Sequence, residues 1–219
     1  MNWPIQVDEC NRDVTPTAAF RYSVSERRVS AATKTADELA DGFVSYLNAT
    51  GFEPKFADAV PEELRTSSAD YDTFHWRIRP ASPNPWVEKL VEKLPQRWPK
   101  PFRSLIDRYR FCNFEVGPLM LFSNSGHELF YELSERVFKD KGLFSTLHKN
   151  GFLQFGLPHE TNYDPVCFDM KRRNQGDAPI VQLDHEEILQ WSRIRVVGEI
   201  APSFAQFMQR AMDEQFAVA

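Results

Sequence analysis

Any chemistry in this chain would have to come from five histidines, three cysteines and a few clustered carboxylates. His75, His127, His148, His159 and His185 include no two that lie three or four residues apart, and no Cys-x-x-Cys occurs. Local spacing therefore offers no zinc site. His185-Glu186-Glu187 places a base beside carboxylates at the end of an apolar run. The same residues supply Asp184-x-x-Glu187, a capping box for a short helix ending near Trp191, and that is the expected role. Ser123-Asn124-Ser125-Gly126-His127 lacks the Gly-x-Ser-x-Gly elbow of a strained nucleophile and reads as a polar loop. Gly117, Gly126 and Gly142 stand alone, so no glycine-rich loop cradles a phosphate. Lys171-Arg172-Arg173 is the most basic run and is expected to be a solvated turn rather than a phosphate contact. Asp164 and Asp169 are paired carboxylates only if a cleft sets their separation, which sequence does not reveal. Asp169 alternates with Phe168 and Met170, which predicts that it faces solvent, where a partner can reach it.

Composition narrows the class. A chain of 219 residues with 42% hydrophobic residues and 18 Phe can bury a sizeable, aromatic-rich core. The mean hydropathy of -0.47 fits a globular protein. The net charge of -5 argues against a general nucleic-acid binder and is compatible with a basic partner. No 18-residue apolar run is present, so no membrane span is expected. Met1 to Glu9 lacks the basic and apolar regions of a secretory signal. A cytoplasmic setting with reduced cysteines follows as an expectation, with Cys112 and Cys167 as buried small hydrophobes.

The elements that would position these residues are of both kinds. Phe20 to Val24 alternates as a short strand would. Thr35 to Gly51 is the first strong helix: Thr35 and Glu38 form a capping box, and Leu39, Phe43, Tyr46 and Leu47 share a face. Residues 53 to 83 carry Pro54, Pro61, Pro80 and Pro83, with one short helix at Pro61 to Leu64 and one strand at Phe74 to Ile78. This connector predicts an N-terminal appendage over 1–83 and a main domain over 84–219. Asn84-Pro85-Trp86 opens a helix, and Pro101 opens another with Phe102, Leu105, Ile106 and Tyr109 inward. Phe114 to Phe122 reads as a strand broken or bulged at Gly117-Pro118. Leu129 to Lys139 fits a helix or an irregular segment, and Leu143 to Lys149 a short helix. Phe152 to Phe155, Val166 to Met170 and Ile180 to Leu183 are strands, the last two paired as an antiparallel hairpin around Arg173 to Asp177. Arg193 to Val197 is either an edge strand or an extended connector. A final helix opens with Ser203-x-x-Gln206 and buries Phe204, Phe207, Met208, Ala211 and Met212.

In this order the elements resemble the SMI1/KNR4 (SUKH) superfamily. The residues that carry the resemblance are Leu94-Pro95, Phe102, Leu105, Ile106, Tyr109, Gly156, Val166, Phe168, Asp169, Pro179 to Asp184, and Ser203, Phe204 and Phe207. They span roughly residues 84 to 216. The chain departs from the family's Gly/Asp-rich turn after the first core strand, where it reads Leu157 to Asp164, so that turn's role is not carried over.

The resemblance implies an α+β fold, with a mixed or mostly antiparallel sheet flanked by helices. It also implies a non-enzymatic protein-binding module with no catalytic residues, no metal and no cofactor. Many members are bacterial immunity proteins that occlude a toxin domain, often a basic nuclease. The contacts expected on this chain are His159, Glu160, Asp164 and Asp169, with Trp191 either an exposed anchor or a core residue under the final helix. Two other classes stay open: a regulatory or scaffold protein, and a small hydrolase whose site assembles from His127, His185 and a carboxylate.

Overall fold

A computed structural model describes residues 34–81, 92, 98–125, 133–138, 140–159 and 162–214. The strand expected at Phe20 to Val24, the helix opened by Asn84-Pro85-Trp86, and Cys10, His127 and Glu160 lie outside the described residues. The elements form an α+β fold.

Helix α1 (Ala36–Thr50) begins as its sequence demands. The Thr35 hydroxyl accepts from the Glu38 N–H, while the Glu38 carboxylate accepts from the Thr35 N–H at 2.8 Å. The helix ends at Gly51, whose φ of 85° suits glycine. It buries Leu39, Ala40, Phe43, Val44 and Leu47. Helix α2 (Lys100–Arg108) buries Phe102, Leu105 and Ile106. The two helices are joined by Arg108, which donates to both oxygens of Asp41 at 2.7 and 2.8 Å. The Tyr109 hydroxyl also donates to Asp41.

Between them lies a small antiparallel sheet of β1 (Lys55–Phe56), β3 (Thr73–Trp76) and β2 (Arg65–Asp70), with a 3₁₀ turn at Glu62–Leu64. A short strand β4 (Arg79–Pro80) pairs with β5 (Tyr109–Arg110). The expected boundary at residue 83 therefore needs correcting. Phe52 stacks on Trp76 at 4.1 Å and meets Phe114 edge-on at 5.5 Å, so α1 and the small sheet share the core of the following residues. The prolines punctuate the backbone here without interrupting its packing.

The main sheet has six strands, each hydrogen-bonded to its neighbours in sequence: β6 (Phe114–Val116), β7 (Leu119–Leu121), β8 (Phe152–Pro158), β9 (Val166–Asp169), β10 (Ile180–Leu183) and β11 (Val196–Ala201). All five pairings are antiparallel. The expected break at Gly117-Pro118 is a two-residue hairpin turn. Val116 pairs with Leu119, and Gly117, first in the loop, has φ 56°. Gly156 sits where a Cβ would come within 2.4 Å of the Met120 carbonyl oxygen, so only glycine lets β8 approach β7 there.

Both faces of this sheet are covered. On one, Phe155 of β8 and Phe168 of β9 stack at 3.9 Å. Phe102 of α2 lies 5.3 and 5.2 Å from these two rings. Phe204 of α6 (Phe204–Glu214) lies 5.3 Å from Phe102. On the other, Phe152, Cys167, Val181 and Leu183 pack with Leu147 of α4 (Lys141–Lys149) and Ile188 of α5 (His185–Trp191). A short helix α3 (Leu133–Phe138) contributes Leu133 and Val137 to the larger cluster. The final helix is capped twice. Ser203 Oγ accepts from the Gln206 N–H, as the sequence predicts, and the Asp177 carboxylate accepts from the Phe204 and Ala205 N–H groups at 3.2 and 2.9 Å.

Burying a Phe stabilises by about 1.5–3 kcal/mol, and a well-placed ring pair adds about 0.5–1.5 kcal/mol. Truncating Phe102 removes contacts to both β8 and β9 and to α6, and leaves a cavity. Phe102→Ala is expected to lower unfolding free energy by about 3–5 kcal/mol in urea denaturation. Phe56→Ala, at a ring that is 65% exposed, should change it by less than about 0.5 kcal/mol.

Candidate binding surface and polar cluster

The end of β10 and the start of α5 bring Asp164 and His185 together, two residues that the sequence expectation named apart. Asp164, in the loop before β9, is buried. Its Oδ1 accepts from the His185 N–H at 3.0 Å and lies 2.7 Å from His185 Nδ1. Its Oδ2 accepts from Gln182 Nε2 at 2.8 Å. Burial by itself would raise the Asp164 carboxyl. The hydrogen bonds from the His185 ring and amide and from Gln182 outweigh burial and hold it below the ordinary carboxylate range. Asp184 caps α5 by accepting from the Glu187 N–H at 2.9 Å, and pairs with Arg195. The Arg195 guanidinium, together with that amide, keeps Asp184 low as well.

A carboxylate that fixes an imidazole by Nδ1 is one half of a hydrolytic arrangement, and the other half is a nucleophile in reach of the ring. Among the described residues, no hydroxyl or thiol is hydrogen-bonded to His185. Tyr163 meets the His185 ring edge-on at 6.3 Å. Burial pushes the Cys112 thiol up to about 12 and the Cys167 thiol well above its usual value, so neither supplies a thiolate. Ser123 and Asn124, part of the polar loop in the sequence, are buried and structural. Ser123 Oγ donates to the Phe111 carbonyl, and Asn124 Oδ1 accepts from the Phe111 N–H, both at 3.0 Å. Among the described residues, no three His, Cys, Asp or Glu side chains are grouped to hold a metal, and no helix is long and apolar enough to cross a membrane.

Two of the expected partner contacts are corrected by burial. Asp164 is consumed by the His185 and Gln182 bonds just described. Asp169 is 8% exposed rather than solvent-facing. Its Oδ1 accepts from the Lys171 N–H, and its Oδ2 from Arg172 Nε at 2.7 Å. Arg172 also reaches Glu199 on β11 at 2.7 Å, so the basic run is tied to the sheet. The alternation of β9 was read correctly, but α4 and α5 cover the second face of the sheet, so pointing away from Phe168 does not mean pointing into water. His159 is exposed and paired with Glu115 of β6.

Trp191 is exposed, which excludes the core position under the final helix. It is 59% accessible at the last residue of α5, with the Arg193 guanidinium 5.9 Å from its ring. Ser192 then takes a left-handed conformation, φ 50°, and turns the chain toward β11. Leu189, Val196 and Val197 are also exposed, as is Tyr163. Among the described residues, five of the seven large exposed hydrophobics thus fall between residues 163 and 197; the other two are Phe56 and Tyr71. Sequence reasoning missed Leu189, Val196 and Val197. The available signal was Ile188: in a helix of only seven residues that buries one position, the neighbouring Leu189 must point elsewhere.

Strand β11 is one of the two edge strands of the sheet among the described residues, and its pairing with β10 is irregular at two places. Such bulges twist an edge away from further strand pairing, so this surface presents side chains rather than a backbone template.

Because the folded-state value of Asp164 is depressed below the unfolded value of about 3.9, its stabilising share is complete above that value and lost as pH falls through the folded one. Asp164→Asn should therefore be less stable than the parent near neutrality. The gap should close as pH is lowered into the acid range, as followed by thermal melts across pH. Asp164→Ala is expected to cost about 1–3 kcal/mol at neutral pH, because the Gln182 and His185 donors lose their acceptor.

No family model matches this chain, and no curated protein matches it.

Proposed function

We propose that this protein is a cytoplasmic, SUKH-like protein-binding module of the immunity type, which neutralises a toxin domain by covering its active site. The observation that carries the reading is the clustering of exposed apolar side chains on α5 and the edge strand β11, with Trp191 at its centre in sequence. Exposed large aromatics beside aliphatic residues and an arginine are the composition of an interface anchor rather than of an idle surface. The resemblance carried by Phe102, Phe168, Ser203, Phe204 and Phe207 supports the class. The net charge of -5 favours a basic partner, since complementary charge speeds encounter and fixes partner choice.

A hydrolase reading is favoured by one specific observation, the Asp164–His185 pair. The two readings separate on a single variant. His185→Ala abolishes activity if the ring is a base, and leaves partner binding intact if the ring is structural.

Co-expression with the toxin encoded by the neighbouring gene should yield a stable complex and protect the host cell. Trp191→Ala should weaken that complex by about 2 kcal/mol or more, roughly thirtyfold, without lowering the melting temperature. Absence of both complex and protection would overturn the proposal.

A further inference from the structure

We infer that the groove between α4 and the end of α5 is a binding site for a small phosphate-bearing ligand, a sugar phosphate or a polyphosphate. The concavity has a volume of about 490 Å³ and is lined by Lys141, Ser145, Thr146, Lys149, Asn150 and Ser192. That volume lies within the range of small-molecule sites.

The lining follows from helical spacing. Lys141, Ser145 and Lys149 recur every four residues along α4 and form one ridge, and Thr146 and Asn150 lie on the next. The two amines stand at the ends of the groove's helical wall. Ser145, Thr146 and Asn150 are half-buried between them. Among the described residues no carboxylate lines the groove, although the chain carries 31 acidic residues against 26 basic ones. Asp140, the acid nearest in sequence, has its Oδ1 engaged at 2.9 Å as the N-cap acceptor of the Leu143 N–H. Among the described residues, neither lysine takes part in an ion pair.

Two unpaired ammonium groups flanking recessed hydroxyls match a phosphate dianion with its ester oxygens and neighbouring hydroxyls; the Asn150 carboxamide, whose Nδ2 donates to the Thr146 carbonyl at 2.9 Å, offers only its second N–H. Among the described residues no aromatic ring lines the groove to stack a base. A sugar phosphate or a polyphosphate therefore fits better than a nucleotide. The site is independent of the partner-binding reading, because its lining includes neither Trp191 nor any residue of β11.

Titration of the full chain with pyrophosphate and with a hexose phosphate, followed by calorimetry and amide NMR, tests the proposal. Both should bind saturably, with shifts confined to Lys141 to Asn150 and Ser192, and the unphosphorylated hexose should not bind. The double variant K141A/K149A, altered only at exposed positions, should melt as the parent does and bind about tenfold or more weakly. K141R/K149R should restore binding. The inference is overturned if neither compound saturates, if shifts fall elsewhere, if the double variant binds as tightly as the parent, or if only vesicles of anionic lipid bind.

Discussion

Four phenylalanine rings, Phe102, Phe155, Phe168 and Phe204, hold the architecture together, because each comes from a different element and every pair is within 5.9 Å. Helix α2, strands β8 and β9, and helix α6 cannot move relative to one another without opening this cluster. Trp98 extends it, at 5.0 Å from Phe102 and 6.2 Å from Phe168. The ring packing also sets the positions of the polar fittings around it. Asp177 can cap α6 only because Phe204 anchors that helix beside the β9–β10 turn. Lys100 donates its N–H to the Gly176 carbonyl at 2.8 Å only because Phe102 holds α2 over the same turn. One loop thus satisfies the first turns of two helices, and the buried rings keep it in register with both.

The second constraint is that the sheet is covered twice. A meander with one wet face would show clean alternation of apolar and polar residues, and the reading of Asp169 assumed that pattern. Strand β9 is instead buried at all four positions. The alternation assigns residues to two cores, with Val166 and Phe168 in one and Cys167 in the other. A carboxylate directed into the second layer needs partners, and Asp169 finds them in Arg172 and the Lys171 amide. What the strand pattern lacked was knowledge of α4 and α5 lying over it, which no window of β9 contains.

Local signals were the legible part. The Thr35–Glu38 box, the Gly51 terminus, the amphipathic faces of α1, α2 and α6, the β9–β10 hairpin and the Asp184 cap all depend on residues within a turn or two of each other. Non-local packing was not legible. The prolines between residues 54 and 83 suggested a linker, yet Phe52 and Trp76 stack into the common core, and Asn48 closes a two-point bond with Ile78, donating to its carbonyl at 3.0 Å and accepting from its N–H at 2.9 Å. Proline limits backbone torsion, but it says nothing about where the flanking side chains are buried. The candidate site divides in the same way. The cap at Asp184 was legible, whereas the meeting of Asp164 with His185 across 21 residues depends on β9 and β10 lying side by side.

The contrast between Trp191 and the buried aromatics is what the proposed partner contact rests on. A chain that buries Phe43, Phe102, Phe111, Phe114, Phe122, Phe155, Phe168, Phe204 and Phe207 almost completely does not lack capacity to bury apolar groups. Leaving Trp191, Leu189, Val196 and Val197 between 48% and 61% exposed forgoes part of the about 1.5–3 kcal/mol that full burial of a side chain of this size contributes. The second core lies close by, since Val196 is paired with Leu183 and Ile188 is buried within α5. The αL turn at Ser192 and the irregular pairing of β11 direct the intervening residues outward, past that core. The backbone thus holds these apolar groups away from the nearest available burial, and the bulged edge keeps the sheet itself from being their docking partner. The exposed cluster is thus a consequence of the backbone path, and it is the feature on which the proposed partner contact rests.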